Sequence, residues 1–556
     1  MRRAIVCCWL CAGLLGAAAA PAAVARQAAI ASAHPLATAA GEAMLARGGN
    51  ACDAAVAVAA ALAVVEPYSS GLGGGGFFLL HRAADREQVM IDARETAPSG
   101  IRYHHFFDAD GGLIKGASTR AGTAAAIPGL PAGLAHLTKR CATLPLTQTL
   151  APAIDLARDG FKVDQRYARI AQLRESLLRG SADAALFLDG GRAPAPGYVL
   201  RQPDLARTLE RVAGRGAAAG FYRGPVAQAL VATVNAAGGA WQMTDLAAYR
   251  VVERAPVRFT YRGATVTAAA LPSAGGIALA QIMGMLEHYP PGDVRDPETA
   301  HLVVEALRRA FRDRARLGDP DHVAVPTAEL LKKDVLKQYV TEIHRDRATP
   351  LAPPTAAAEG SGSSNTTHLS IIDQAGNRVA ATLTINLLFG SGLVGRGTGV
   401  LLNNEMDDFT LRADLANSFH LRGGAANAVA PGKRPLSSMT PAFVEDDKGV
   451  LILGAPGGSR IISQVLLVGL EYLRRPQVDL QQLVALPRYH HQYWPDRIEV
   501  EPGGFSADWR AALEAKGHRL HVANRRWGNM QAVFQSRTTG AAQAANDPRG
   551  SDVAWY

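Results

Sequence analysis

The chain has 556 residues, enough to bury a large core as two to four domains or one large enzyme. Its formal net charge of +9 is spread along the sequence, with no basic run interleaved with aromatics, so a nucleic-acid reading has nothing beyond isoelectric point behind it. Arginine far outnumbers lysine and alanine is abundant, a compositional bias rather than the mark of a binding surface.

Residues 1–25 read as an export signal. Arg2 and Arg3 form a charged start, Ala4 to Ala20 carries no charge, and Ala23-Val24-Ala25 offers a small-residue cleavage site. The apolar run is short and alanine-heavy with no stop-transfer pattern behind it, which disfavours a membrane anchor. Cleavage lowers the charge from +9 to +7 and removes Cys7, Cys8 and Cys11. Only Cys52 and Cys141 remain, as one bridge or as two buried thiols, so the mature chain is not a disulfide scaffold. The expected destination is the periplasm or the exterior.

Residues 36–66 carry a helical pattern that Gly48-Gly49-Asn50 splits into two helices, with Asp53 near the second start. The stretch 299–318, TAHLVVEALRRAFRDRARLG, predicts a long amphipathic helix with its arginines on the wet face. Residues 350–365, PLAPPTAAAEGSGSSN, lack apolar periodicity and read as an exposed flexible segment. Beyond them the pattern turns to strands (THLSIID, NRVAATLTIN, GVLILGAP), and a helix follows over 460–474. Strands and helices alternate in both parts, which predicts α/β-type layers. No repeat of twenty to fifty residues is apparent.

The hairpin after the soft segment can be registered from sequence. Asp373-Gln374-Ala375-Gly376-Asn377 predicts a three-residue loop with its glycine in the left-handed position. Pairing Asp373 with Asn377 sets Ser370 opposite Ala380, His368 opposite Thr382 and Thr366 opposite Thr384. Period-two alternation then puts Thr382, Thr384 and Asn386 on one face. A threonine hydroxyl needs a neighbouring base to act as a nucleophile, and its own free α-amine, with a pKa of about 7.7–8.0, can be that base. Cutting the Asn365–Thr366 bond would create such a residue. A linker meeting an ordinary hairpin is the plainer alternative.

The run TTHLSIIDQAGNRVAATLTINLLFG resembles the signature of the γ-glutamyltranspeptidases, members of the N-terminal-nucleophile hydrolases. The similarity continues through RGGNACDAAVA, EPYSSGLGGGGFF, DARETAP, FYRGPVAQALV, TDLAAYR, ALRRAFRDRARLGDPD, LLNNEMDDF, KRPLSSMTP, GAPGGSRII and PRYHHQYWPD, nearly the whole mature chain. It implies a four-layer α-β-β-α sandwich, made as a precursor that cuts itself into a large subunit (26–365) and a small subunit (366–556) that pair with each other. It implies transfer of the γ-glutamyl group of glutathione and related amides to water or to amino-acid and peptide acceptors. No cofactor and no metal are implied.

By the same resemblance Thr366 is both autocleavage residue and nucleophile, Thr384 supports it, and Asn386 binds substrate. Arg94 is implied as ligand of the substrate α-carboxylate, a role that suits the two-pronged guanidinium. Ser437 and Ser438 share that carboxylate, Glu405 and Asp408 take the α-ammonium, and Gly457 and Gly458 form the oxyanion hole. Two successive backbone N–H groups approach an oxyanion so closely only where no side chain intervenes.

Two motifs lead nowhere. GLGGGG at 71–76 fits a dinucleotide loop, but a helix precedes it and FFLL follows, the reverse of the strand–turn–helix context. His490-His491 lacks spaced acidic or cysteine partners for a metal, and no G-x-S-x-G elbow occurs. The chain departs from the family at Tyr68, often histidine there, and at Leu387-Leu388, where more polar residues are usual. Residues 412–424 have the length of the family's substrate-covering lid but not its sequence. Two other functions compete: an acylase for glutaryl or cephalosporin side chains, and an unprocessed, inactive exported binding protein.

Overall fold

Two six-stranded antiparallel sheets lie face to face with helices outside them, in a computed structural model that describes residues 26–181, 183–351 and 366–550. The export signal, Asn365 and nearly all of the 350–365 segment fall outside the described residues. The first sheet is built from β1 (Ala29–Ser32), β2 (Gly75–Arg82), β3 (Glu87–Ala93) and β4 (Val252–Arg254), with β7 (Thr367–Ile372) and β8 (Arg378–Thr384) added later in the chain. Their spatial order is β1-β7-β8-β2-β3-β4. The second sheet takes β5 (Val257–Tyr261), β6 (Ala264–Ala268), β9 (Ala442–Glu445), β10 (Gly449–Gly454), β11 (Gln531–Ser536) and β12 (Ala542–Asn546), in the order β12-β11-β10-β9-β6-β5.

Helices α1 (Pro35–Ala46) and α2 (Ala51–Val65) pack behind the first sheet. All of α2 is buried, as its apolar circumference requires. The expected break lies at Asn50, which caps α2 while Asp53 reaches back to the Asn50 amide. Cys52 on α2 is joined by a disulfide to Cys141. On the second sheet lie α3 (Gly275–Leu286) and α5 (Arg460–Arg474), with α4 (Pro297–Arg314) packed on α3. The result is the layered sandwich that the resemblance implies.

The expectation for α4 needs correction. Arg308, Arg309 and Arg314 are buried, and only Arg312 of the helix arginines is substantially exposed. Glu305, one turn earlier on the same face, receives Arg308 at 3.4 Å and Arg309 at 2.8 Å, and Thr349 closes the group. For Arg308 and Arg309 pairing inside the fold replaces solvation, and Arg314 turns toward a cavity instead, neither of which a helical wheel can anticipate.

Alternation splits the hairpin cleanly. Leu369, Ile371, Val379, Ala381 and Leu383 join the core against α2, while His368, Ser370, Thr382 and Thr384 face the second sheet. The observed pairs Ser370–Ala380 and His368–Thr382 are those read from sequence. Gly376 holds the turn at φ +92°, and Asp373 also accepts the Ala51 amide, tying the turn to α2. Between the sheets the His368 imidazole bridges Thr382 (2.8 Å) and Ser370 (3.0 Å), and Ser370 donates to the Gln531 carbonyl at 3.0 Å. Opposite His368 sits Gly454, where a Cβ would fall 2.2 Å from the ring.

Candidate active site

The GLGGGG run proves to be a close-packing device. Cβ atoms at Gly73, Gly74, Gly75 and Gly76 would lie 2.0–2.3 Å from the carbonyl oxygens of Leu401, Thr384, Ala93 and Thr382. The bare backbone lets β2 pair with β8 as far as Thr384 opposite Gly75. At that end of β8, Thr384 Oγ1 lies 3.4 Å from Thr366 Oγ1 and accepts the Asn386 amide at 2.8 Å. Asn386 sits in the left-handed region at φ +73°, which asparagine tolerates better than most residues. Its side-chain amide donates to the Asn404 carbonyl at 2.8 Å.

One cavity gathers Thr366, Thr384, Asn386, Arg94, Glu405, Asp408, Ser437, Ser438 and Gly458. Gly457, one residue back, lines the adjoining hollow beside Phe419. The structure thus brings together every described site residue named from sequence.

Arg94 follows directly on β3 and is almost wholly buried. It donates through Nε to the Pro435 carbonyl at 3.2 Å, through Nη2 to Asp408 at 2.5 Å, and through Nη1 to Glu405. Glu405 and Asp408 occupy one short 3₁₀ turn held by Asn403, whose Oδ1 accepts the Glu405 amide at 2.9 Å. The pair of acceptors does close around a cation, and in this structure that cation is Arg94. Burial lowers the guanidinium pKa, but the two carboxylates outweigh it and hold Arg94 above its ordinary value. Burial pushes Glu405 well up, against the pull of Arg94. It also pushes up neighbouring Glu95, to about 7.

Three buried polar atoms of this cavity have no hydrogen-bond partner among the described residues: Glu405 Oε2, Ser438 Oγ and Arg314 Nε. Their convergence in one small cavity beside Thr366 fits a polar ligand. Gly457 (φ +138°) and Gly458 (φ +57°) form the turn into α5. A Cβ on Gly458 would lie 2.8 Å from the Phe419 ring.

The metal-like pair is otherwise engaged: His490 meets Ser463 and Gln492 at 2.9 Å each, and His491 meets Asp496 at 3.2 Å. Tyr68 donates to Glu66 at 3.1 Å, and Glu66 accepts Thr367 at 2.8 Å, so this departure from the family stands two hydrogen bonds from the residue after Thr366. From the 412–424 segment, Phe419 and Leu421 line the cavity and Asn417 donates to Asp408 at 3.2 Å.

Sequence reasoning missed Arg314, Phe419, Leu421 and Glu95. Glu95, inside DARETAP, carried a signal as an acid beside a site arginine, and Phe419 and Leu421 fall in the 412–424 segment, whose lid-like length was the only pointer to them.

Facing antiparallel sheets with outer helices, and a threonine at the mouth of the central hairpin, define the layered N-terminal-nucleophile class of hydrolases. The family model for gamma-glutamyltranspeptidase matches residues 37–556, and the chain belongs to that family. It is 40% identical over 538 residues to a glutathione hydrolase proenzyme of Pseudomonas sp. (strain A14), covering 94% of this chain and 92% of that protein. To the glutathione hydrolase proenzyme of Escherichia coli (strain K12) it is 38% identical, covering 95% and 91%. Among solved structures, a cephalosporin acylase from Bacillus halodurans superposes with a TM-score of 0.81 at 27% identity, covering 96% of this chain and 97% of that one.

Proposed function

We propose that the protein is a self-processing γ-glutamyltransferase and glutathione hydrolase. The observation that carries this reading is the charge pattern beside Thr366: the buried Arg94 guanidinium paired with two carboxylates, and an unpartnered serine hydroxyl, in one small cavity. A γ-glutamyl group ends in an α-carboxylate and an α-ammonium. Arg94 with Ser437 and Ser438 suits the first, and Glu405 with Asp408 suits the second. The substrate zwitterion exchanges places with an internal ion pair, so buried charge stays compensated throughout.

In the first step, the Thr366 hydroxyl attacks the Asn365 carbonyl and the peptide nitrogen leaves, giving an ester. Departure of the nitrogen, which takes up the hydroxyl proton, frees the Thr366 amine; water then opens the ester, releasing the Asn365 carboxylate and returning the Thr366 hydroxyl. In turnover that amine takes the hydroxyl proton, the oxygen attacks the γ-carbonyl of the donor, and the donor amine departs with the proton. The Gly457 and Gly458 amides receive the oxyanion, at the N-terminus of a fifteen-residue helix whose dipole favours negative charge. Water or an acceptor amine then takes the acyl group. Thr384 orients Thr366 in both reactions.

We further read the protein as exported. The Cys52–Cys141 disulfide supports an oxidising compartment, and among the described residues no helix is long and apolar enough to cross a membrane.

A second reading, an acylase for glutaryl-type side chains, draws on the whole-chain likeness to the cephalosporin acylase. The Glu405/Asp408 pair weighs against it, because such side chains lack an ammonium. The deciding experiment compares kcat/KM for a γ-glutamyl anilide with that for its glutaryl analogue. Stranded buried charges cost on the order of 1–3 kcal/mol or more apiece, so about a hundredfold preference for the γ-glutamyl compound is expected. Equal values would give the assignment to the acylase.

A further inference from the structure

A second cavity of about 350 Å³ adjoins the one around Thr366 and shares Arg314, Asp408 and Leu421 with it. Its distinguishing feature is an excess of positive charge: Lys115, Arg120, Arg174 and Arg314 line it, against Asp407 and Asp408. Arg314 is 6% exposed and lines both cavities; its Nε has no hydrogen-bond partner among the described residues, and its Nη2 donates to the Leu436 carbonyl at a long 3.5 Å. Arg174 is half-buried, donates to the Leu388 carbonyl at 3.0 Å and, like Arg314, makes no ion pair among the described residues. Arg120 stands beside Arg174 on the exposed rim, and Lys115 lies further out. Burial first, and then the Arg120 charge, push Arg174 down to about 10; burial, opposed by Asp408 and aided by Arg94, does the same to Arg314.

Neither acid of this cavity makes an ion pair with Arg174, Arg120 or Arg314 among the described residues. Asp407 accepts Ser118 Oγ at 2.8 Å and the Ser418 amide at 2.9 Å, while Asp408 accepts Arg94 and Asn417. Buried guanidinium without a counter-charge is costly, so arginines gathered around a cavity point to an anion supplied from outside. Arg94 and the serines already account for the α-carboxylate of a γ-glutamyl group. A γ-glutamyl peptide carries a second carboxylate, at the far end of the group that leaves.

We propose that this cavity is a second carboxylate subsite, in which Arg174 and Arg120 hold the free C-terminal carboxylate of the peptide on the leaving side of the scissile amide, with Arg314 supplying positive potential where the two cavities meet. The subsite rests on the function proposed above. It makes peptides with a free C-terminus the preferred leaving groups, and it gives Leu387, which lines the cavity directly after Asn386, the task of an apolar wall along the peptide.

The test uses γ-glutamyl-alanyl-glycine as free acid and as C-terminal amide, with a γ-glutamyl anilide as control on the wild-type enzyme. Wild type should favour the acid in kcat/KM by about tenfold or more, the scale of a charge-assisted contact. Arg174→Gln should shrink that ratio at least about threefold, with Arg174→Lys in between. Should Arg174→Gln fail to fold, Arg120→Gln, on the exposed rim, must shrink the ratio in the same direction. Equal rates on acid and amide in the wild type would overturn the subsite, as would an unchanged ratio in both glutamine variants. Cleavage of the anilide alongside such a result would leave the main reading standing; no cleavage of it would sink that reading instead.

Discussion

The hydroxyl of Thr366 lies 3.4 Å from that of Thr384, eighteen residues on, because a three-residue turn fixes the pairing of the strands between them. Every step from the turn keeps both threonines on the face toward the second sheet. The Asn386 amide, donating to Thr384 Oγ1 at 2.8 Å, fixes the position of that oxygen.

Purified protein should therefore run as two fragments held together without a covalent link, the smaller beginning Thr366-Thr367-His368. Thr366→Ala should stay one intact chain without activity. N-terminal sequencing and a denaturing gel decide it; full turnover by an uncut chain contradicts the mechanism.

Thr384→Ala should slow both self-cleavage and kcat, about tenfold or more each, while leaving KM for the donor little changed. The hydroxyl orients the nucleophile in both reactions and touches neither α-substituent of the substrate in the proposed pose. A variant with wild-type cleavage and kcat would show that the 3.4 Å contact carries no function.

Acid should destabilise the folded protein well above the carboxylate range. Burial pushes His368 down to about 3 and His490 to about 4, both from 6.5. Above pH 6.5 neither state binds the proton; below it the unfolded chain does and the folded chain does not, so stability falls as pH falls. At about 1.4 kcal/mol per pH unit and group, going from pH 7 to 5 removes on the order of 2 kcal/mol for each of the two. His368→Gln should start less stable at pH 7 but lose less on acidification. Parallel loss of Tm in variant and wild type would exclude His368 as a contributor.

Much of this was legible in advance, and the reason differs from part to part. The hairpin register follows from period-two alternation and turn chemistry alone, both local. Arg94, Glu405, Asp408 and the two serines come from distant segments, and nothing local says that they meet; only the resemblance placed them together. Arg314 stayed hidden because an arginine-rich amphipathic helix looks the same whether its guanidiniums face water, a buried glutamate as Arg309 does, or a cavity as Arg314 does. Phe419 and Leu421 stayed hidden because their segment has no periodicity and reaches the cavity by long-range contacts such as Asn417 to Asp408. The Cys52–Cys141 bridge was one of two open alternatives, since spacing in sequence says nothing of approach in space.

The Arg94–Asp408 contact at 2.5 Å gives the last prediction its sign. If Asp408 leaves Arg94 for the substrate ammonium, Asp408→Asn should raise KM for a γ-glutamyl donor by about tenfold or more, since a charge-assisted hydrogen bond of roughly 1.5–3 kcal/mol becomes a neutral one. The same change should touch a glutaryl substrate less, because it has no ammonium to lose. The preference between the two substrates should therefore shrink in the variant. Self-cleavage should persist, since no ammonium is bound in that step. Arg94 keeps its partner Glu405 in the variant, so gross unfolding is not expected. An Asp408→Asn enzyme with wild-type discrimination would remove Asp408 from the ammonium site and leave Glu405 to hold that charge alone.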